Sequence, residues 1–431
     1  MSKNDSTVVL SRLLKLHPKI IDLSLDRVRR LLTKLDNPEK KLPPVVHIAG
    51  TNGKGSTLAL IRAGLESEKK KVHTFTSPHL IRINERIVIA GSQISDTLLS
   101  NYLTTSEGKN STNNITFFEI ITCAAFLAFS QNKADYTLLE VGLGGRLDAT
   151  NVVEKPVISI ITPISLDHQN FLGGTLAKIA KEKSGILKPG CLAIIGKQKE
   201  EALDVILKVA EQKGTKLSVY GRDWFSSIRD DKLVFEDEEG PLELPKPKLT
   251  GNHQYDNAGI AIAALRGLKI SERGLRNSVK KVDWPARLQN LRTGPLVKMV
   301  KDFHSKNEIW LDGGHNMAAG QAMANFLSKP FDGKNYLICG MINSKDVYGY
   351  LYPFRKVLSG VIGIKIPNEG SSRTKDDISF QAKKIFLYSS TSDTLDNAVK
   401  KILSRDTNQV KVRILIGGSL YLSGHVLKNH T

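Results

Sequence analysis

The sequence predicts an α/β fold: a P-loop-type doubly wound parallel sheet followed by a smaller, Rossmann-like α/β domain. From residue 44 onward, short β-branched runs alternate with longer stretches of helical periodicity. Runs such as "YTLLEVGLGG" and "VISIITPI" are apolar throughout and bounded by Gly or Pro, as strands covered on both faces are. The alternation breaks at "VDWPARLQNLRTGP" and then resumes. The expected boundaries are therefore 1–285 for the first domain, 286–298 for a linker and 299–431 for the second.

Taken in order, "VVHIAG" reads as a strand that runs into a glycine-rich loop, and "STLALIRAGLESE" as the helix after it. "KVHTFTSPHL" is a strand and turn, and "TFFEIITCAAFLAFSQ" a buried helix. "SEGKNSTNN", Ser106 to Asn114, reads as a polar loop. The charge-dense stretch from Trp224 to Pro247 is expected to be a small antiparallel excursion, after which "NAGIAIAALRGL" returns to helix. In the second domain, "IWLDGGHN", "NYLICGM" and "VRILIGG" read as strands; "MAAGQAMANFL" and "SLYLSGHVL" read as helices.

The 431 residues are 40% apolar and 24% charged, an ordinary globular balance, and carry a net charge of +19. That charge favours anionic partners. The lysines are scattered in short runs such as Lys69 to Lys71, with no basic tail and no aromatic-basic interleaving, so no nucleic-acid partner is expected. No apolar run reaches the length of a membrane span. Cys123, Cys191 and Cys339 are far apart, show neither a disulfide nor a zinc pattern, and suit a reducing cytoplasm. The first forty residues are apolar at helical intervals and rich in basic residues, but Asp5, Asp22, Asp26 and Asp36 argue against a transit peptide.

The chemistry begins at "HIAGTNGKGST". A loop between a strand and a helix is where phosphates bind, because unpaired N–H groups and the positive helix end converge there. Gly50, Gly53 and Gly55 allow close backbone approach, Thr51 and Asn52 lie between them, Lys54 reaches terminal phosphates, and Ser56 or Thr57 faces a metal. The spacing departs from the usual Walker form: only two residues separate Gly50 from Gly53, and Gly55 sits between the lysine and the hydroxyl. "TSPHLIRINERI" then supplies Ser77, His79, Arg82, Glu85 and Arg86 at a strand end. "LLEVGLGGRLDATN" ends a buried strand on Glu140, whose carboxylate requires either a cation such as Mg2+ or an ion pair with Arg146. "ISLDHQ" brings Asp167 and His168, "AKEKSGILKPG" a basic face, and "TGNHQYDNA" and "LDGGHN" bring Asn252, His253, Asn257, Asp312, His315 and Asn316.

Taken together, "HIAGTNGKGST", "TSPHL", "NERI", "FFE", "LEVGLGGRLDATN", "LDH", "EKSGILK", "GNHQYDNA", "WPARL" and "DGGHN" resemble the folylpolyglutamate synthase and dihydrofolate synthase family. This family is a branch of the Mur-ligase-type ATP-dependent amide ligases. The ordered set covers most of the chain, and the odd glycine loop matches the family's own form. "DGGHNMAAG" departs from it, with Met317 where proline is common.

The resemblance implies that residues 50–57 hold ATP phosphates, with Lys54 catalytic, and that Asn257, Arg287 and Asp312 contact the nucleotide. It implies two Mg2+ ions on Ser77, Glu140 and His168, with Ser56 as a further donor. Lys183 matches a lysine carried as a carbamate, an anion suited to Mg2+, and His315 lies where it could assist near the phosphates. Arg82, Phe117, Phe118, Glu119, Leu147, Asp148 and Ala149 would form the pterin side. The implied partners are L-glutamate, dihydropteroate and reduced folates, handled by a cytoplasmic monomer. The alternatives are a monofunctional family member, a cell-wall amino-acid ligase on the same scaffold, or a nucleic-acid-stimulated ATPase.

Overall fold

The computed structural model describes residues 12, 24–385, 388–405 and 410–431. Most of the helical reading of the first two dozen residues lies outside these. The described residues fall into two compact units. The first takes the chain through Ser165, Gln169–Lys248 and Tyr255–Asp283; the second takes Leu166–His168, Leu249–Gln254 and Trp284–Thr431.

In the first unit, strands β1 (Val45–Ala49), β2 (Val72–Phe75), β3 (Ile87–Ile89), β4 (Ser92–Gln93), β5 (Tyr136–Glu140), β6 (Ile158–Ile161), β7 (Leu192–Ile195) and β8 (Lys216–Val219) form one sheet. Its order is β4-β3-β2-β5-β1-β6-β7-β8. The six strands from β2 to β8 in that order are parallel, and β3 and β4 are an antiparallel edge. β1 lies between β5 and β6, with Ile48 opposite both Glu140 and Ile160. Ligands of open parallel sheets gather at such strand ends.

The core of this unit is built on the helix Phe117–Ser130, in which 12 residues are buried. Phe126 and Phe129 are fully enclosed, and Phe129 stacks on His73 with ring centroids 4.7 Å apart. Three antiparallel strands, β9 (Phe225–Arg229), β10 (Lys232–Asp237) and β11 (Gly240–Leu244), form the expected excursion. "SEGKNSTNN" is not all loop. Helix Asp96–Asn110 runs through its first half because Ser106 and Asn110 are buried on its inner side. The chain turns only after Asn110, where the Asn110 and Asn113 side chains each donate to the other's carbonyl at 2.6 and 2.7 Å.

In the second unit the sheet order is β12-β13-β17-β14-β15-β16, with β12 (Gln289–Asn290), β13 (Glu308–Leu311), β14 (Lys334–Cys339), β15 (Gly360–Gly363), β16 (Ser389–Thr391) and β17 (Val412–Gly417). All pairs are parallel except β12–β13. The stretch expected as an irregular linker therefore contributes an edge strand, and helix Pro295–Phe303 begins inside it. Among the described residues, no helix is long and apolar enough to cross a membrane.

Phe129→Ala removes a fully buried ring and its stacking on His73. It is expected to cost about 3–5 kcal/mol, read as a lowered urea midpoint.

Candidate active site

The glycine loop joins β1 to the helix Lys54–Ser67, as expected. Gly53 caps that helix with φ of 86°, a conformation that glycine adopts without strain, and a Cβ there would collide with the Asn257 side-chain oxygen. Asn257, from the helix Asn252–Gly267, is thus packed onto the loop. The amides of Thr51 and Asn52 do not line the cradle; both donate to the Pro163 carbonyl, at 3.1 and 3.3 Å. The Thr51 hydroxyl and the Asn52 side chain are tied to Ser165. The open N–H groups belong to the first helical turn, Lys54 to Ser56, which has no intrahelical acceptors.

Two lysines converge on one atom of this loop. Lys54 Nζ donates to the Gly50 carbonyl at 3.2 Å and to Thr51 O at 3.3 Å. Lys183, 133 residues away and only 5% exposed, donates to the same Gly50 carbonyl at 2.7 Å. Both ammonium nitrogens therefore lie within about 6 Å of each other, and like charges this close favour an anion nearby.

The turn carrying Lys183 is interlocked with the "GLGGRLDATN" loop. Arg146 N donates to Glu182 O at 2.8 Å, Asn151 Nδ2 donates to Gly185 O at 3.3 Å, and a Cβ on Gly185 would run into the Arg146 backbone. Arg146 pairs with Glu182 at 3.0 Å, not with Glu140. Glu140, buried at the end of β5, accepts from Ser77 N at 3.2 Å, so the structure brings these two predicted metal residues together. Thr57 Oγ1 is buried without a hydrogen-bond partner. Hydroxyl and carboxylate oxygens of this kind suit Mg2+. Among the described residues, no three His, Cys, Asp or Glu side chains form a metal cluster.

Several residues expected on the pterin side serve the scaffold. Phe117 and Ala149 are core, and Leu147 packs against it. Glu119 closes a capping box with Thr116 and receives Arg27 in two bonds, at 2.9 and 3.0 Å. Asp148 accepts from Leu143 N, Thr150 N and Thr150 Oγ1. Since the Thr150 hydroxyl donates there, it accepts from His47 Nε2 at 2.8 Å. Burial then keeps that imidazole neutral, with a pKa lowered to about 3. Phe118 remains half-buried, lying over Gly142 and tilted 5.9 Å from Phe75. Arg82 is exposed and paired with Asp96. Glu85 collects the N–H groups of Leu80, Ile81 and Arg82, which ties the "SPHLIRINER" loop to itself.

His168, expected beside Glu140, belongs by its contacts to the second unit. Its Nε2 lies 3.1 Å from Lys345 Nζ, and Lys345 is 2.6 Å from Asp167 Oδ1. His315 Nε2 is 3.4 Å from Asp167 Oδ2, and Asn316 Nδ2 donates to the same oxygen at 3.2 Å. Burial alone would raise the Asp167 pKa, but the hydrogen bond and charge of His315, with the charges of Lys345 and His168, hold it well below the carboxylate range. Asp312 accepts from Leu288 N and Gly314 N, which pins Leu288 at a left-handed φ of 41°. Arg287 Nη1 caps Ala286 O at 2.9 Å.

Lys345 was missed by the motif reading, although its place just after the apolar β14 was a positional signal. Arg27 and the His47–Thr150 contact gave none.

Residues 48–265 match the Mur ligase middle domain. Over 94% of its length the chain is 33% identical to the dihydrofolate synthase/folylpolyglutamate synthase of Bacillus subtilis, 94% of which is covered. The chain belongs to the dihydrofolate synthase/folylpolyglutamate synthase family. Its structure matches Escherichia coli FolC in complex with DHPP and ADP at a TM-score of 0.88 and 29% identity, covering 99% of this chain and 98% of that one. A bifunctional folylpolyglutamate synthase/dihydrofolate synthase with Mn, AMPPNP and L-glutamate bound matches at 0.84 and 27% identity, with 97% of each chain covered. The match to this family runs through the residues of both units.

Lys345→Met leaves Asp167 buried without its closest cation and is expected to destabilise by about 3–5 kcal/mol, seen as a lower melting temperature. Because the folded pKa of Asp167 is depressed, its contribution is present above the ordinary value of 3.8 and is lost as pH falls below it. Asp167→Asn should therefore flatten the acid limb of a melting-temperature profile below about pH 4.

Proposed function

We propose that this chain joins L-glutamate to dihydropteroate, giving dihydrofolate, and to the γ-carboxylate of reduced folates, with ATP as the driving substrate. The observation that carries this reading is the convergence of Lys54 and Lys183 on the Gly50 carbonyl, at the start of a helix that opens onto the end of a parallel strand.

A carboxylate is a poor electrophile because its departing oxygen is a poor leaving group. A carboxylate oxygen of the folate substrate attacks the γ-phosphorus, ADP departs, and an acyl phosphate forms. The glutamate amine then attacks the carbonyl carbon, and the tetrahedral adduct expels phosphate to leave the amide. Lys54 and the first-turn amides balance the charge moving through the phosphoryl group. Asn257 fixes the loop from the side through Gly53. Arg287 and Asp312 complete the nucleotide contacts. His315, oriented by Asp167 and by Gly313 O at 3.3 Å, assists at the phosphates.

Ser77 and Glu140, with Ser56 or Thr57, would hold Mg2+, which supplies positive charge to phosphoryl oxygens. His168, the remaining candidate ligand, has its Nε2 3.1 Å from Lys345 Nζ. Lys183 acts as a carbamate: the crowding of two ammonium groups is relieved when one becomes an anion. Phe118, half-buried over Gly142, is the aromatic side chain proposed for the pterin ring.

With ATP, Mg2+ and glutamate, phosphate release should begin on adding dihydropteroate or tetrahydrofolate; silence with both sinks the assignment. Lys54→Ala should lower turnover by at least about a hundredfold with an unchanged melting temperature. Ser77→Ala should raise the magnesium concentration needed for half-maximal activity, and full retention of wild-type magnesium response would remove Ser77 from the hydroxyl role.

A further inference from the structure

Helix Leu176–Lys183 ends on Lys183 and passes directly into a 3₁₀ turn, Ser184–Ile186. Two carbonyls of its last turn are served close by, Ala180 O by the N–H and hydroxyl of Ser184 and Glu182 O by Ser184 N and Arg146 N, and the 3₁₀ turn carries the helical carbonyl row on past Lys183. One side chain serves three carbonyls of the segment that follows. Lys213 Nζ donates to Ser184 O at 3.4 Å, Gly185 O at 3.1 Å and Leu187 O at 3.0 Å. Lys213 closes the helix Glu200–Lys213, and the next two residues hold the same loop: Gly214 O accepts from Gly190 N at 2.9 Å, and Thr215 Oγ1 donates to Lys188 O at 3.0 Å. Three consecutive residues thus clamp the segment that follows Lys183. Burial pulls the Lys213 pKa below the ordinary lysine value, while its carbonyl acceptors favour the charged form.

The location of this charge matters for Lys183. The C-terminal end of a helix carries about half a negative charge, which stabilises an ammonium and opposes an anion. A carbamate on the last residue of such a helix starts at a disadvantage. We propose that Lys213 is a positioning residue whose ammonium, seated on the carbonyls of Ser184, Gly185 and Leu187, cancels the negative end of the 3₁₀ turn that continues the helix just after Lys183 and so lets Lys183 persist as a carbamate. The inference rests on the carbamate reading of Lys183 given above. In the step concerned, the lone pair of the neutral Lys183 amine forms an N–C bond to CO2. One C=O electron pair moves onto oxygen, and the nitrogen proton leaves to water, so amine and CO2 become carbamate and H+.

The full chain is incubated with 13C-bicarbonate, and the carbamate carbon is followed by NMR beside phosphate release with dihydropteroate. Wild type should show a signal that Lys183→Ala lacks. Lys213→Met should need about tenfold more bicarbonate for half-maximal signal and turnover, while Lys213→Arg, which keeps the charge, should stay near wild type. A bicarbonate response in Lys213→Met equal to wild type overturns the inference. Equal losses in both Lys213 variants, with lowered melting temperatures and no rescue by bicarbonate, overturn it in favour of a purely architectural lysine. A wild type without any Lys183-dependent signal overturns the carbamate reading and, with it, this inference, and is distinguishable from both other results.

Discussion

The Gly50 carbonyl is the point on which the first unit's chemistry depends. It accepts from Lys54 on the helix that follows it and from Lys183 on a helix more than a hundred residues later. Lys54 is placed by the local turn, but Lys183 is not. β1 must lie between β5 and β6 for the loop to emerge beside Glu140. The Lys183 turn must then lock onto the Arg146 loop so that its side chain reaches back to Gly50. Parallel-sheet topology supplies the first condition, and close backbone packing supplies the second.

Carboxylates near these loops are used mainly to organise backbone. Glu85 gathers three consecutive N–H groups, Asp148 folds its own loop, and Asp312 holds the chain before and after it. A carboxylate whose lone pairs already accept several N–H bonds has little acceptor capacity left for a ligand. In a chain with a net charge of +19 this leaves the lysines to dominate what an incoming ligand feels. ATP, glutamate and a pteroate tail are all anions.

Strand and helix order was legible because apolar runs and their periodicity report burial directly. The glycine loop was legible because its residue types admit few backbone uses. What the residues could not reveal was partner choice. Arg146 follows Glu140 closely in sequence, yet it pairs with Glu182 because the Gly185 contact brings that helix end alongside. Asp148 and Glu119 stand in motifs that suggest ligand contact, but each is engaged by neighbours that any reading from spacing would treat as bystanders. Ser106 to Asn110 read as a loop because their polarity hid two burials on the inner side of a helix.

The three-residue strip Leu166–His168 has a consequence for dissecting the protein. It is flanked on both sides by chain of the first unit, yet all of its described ion-pair partners lie in the second. A fragment beginning at Trp284 would carry Lys345 into its interior without Asp167, and the complementary fragment would carry the aspartate without the lysine. Truncation at the apparent boundary therefore separates a buried ion from its counter-ion. Excised pieces of this ligase would be poor reporters of how either half behaves in the intact chain.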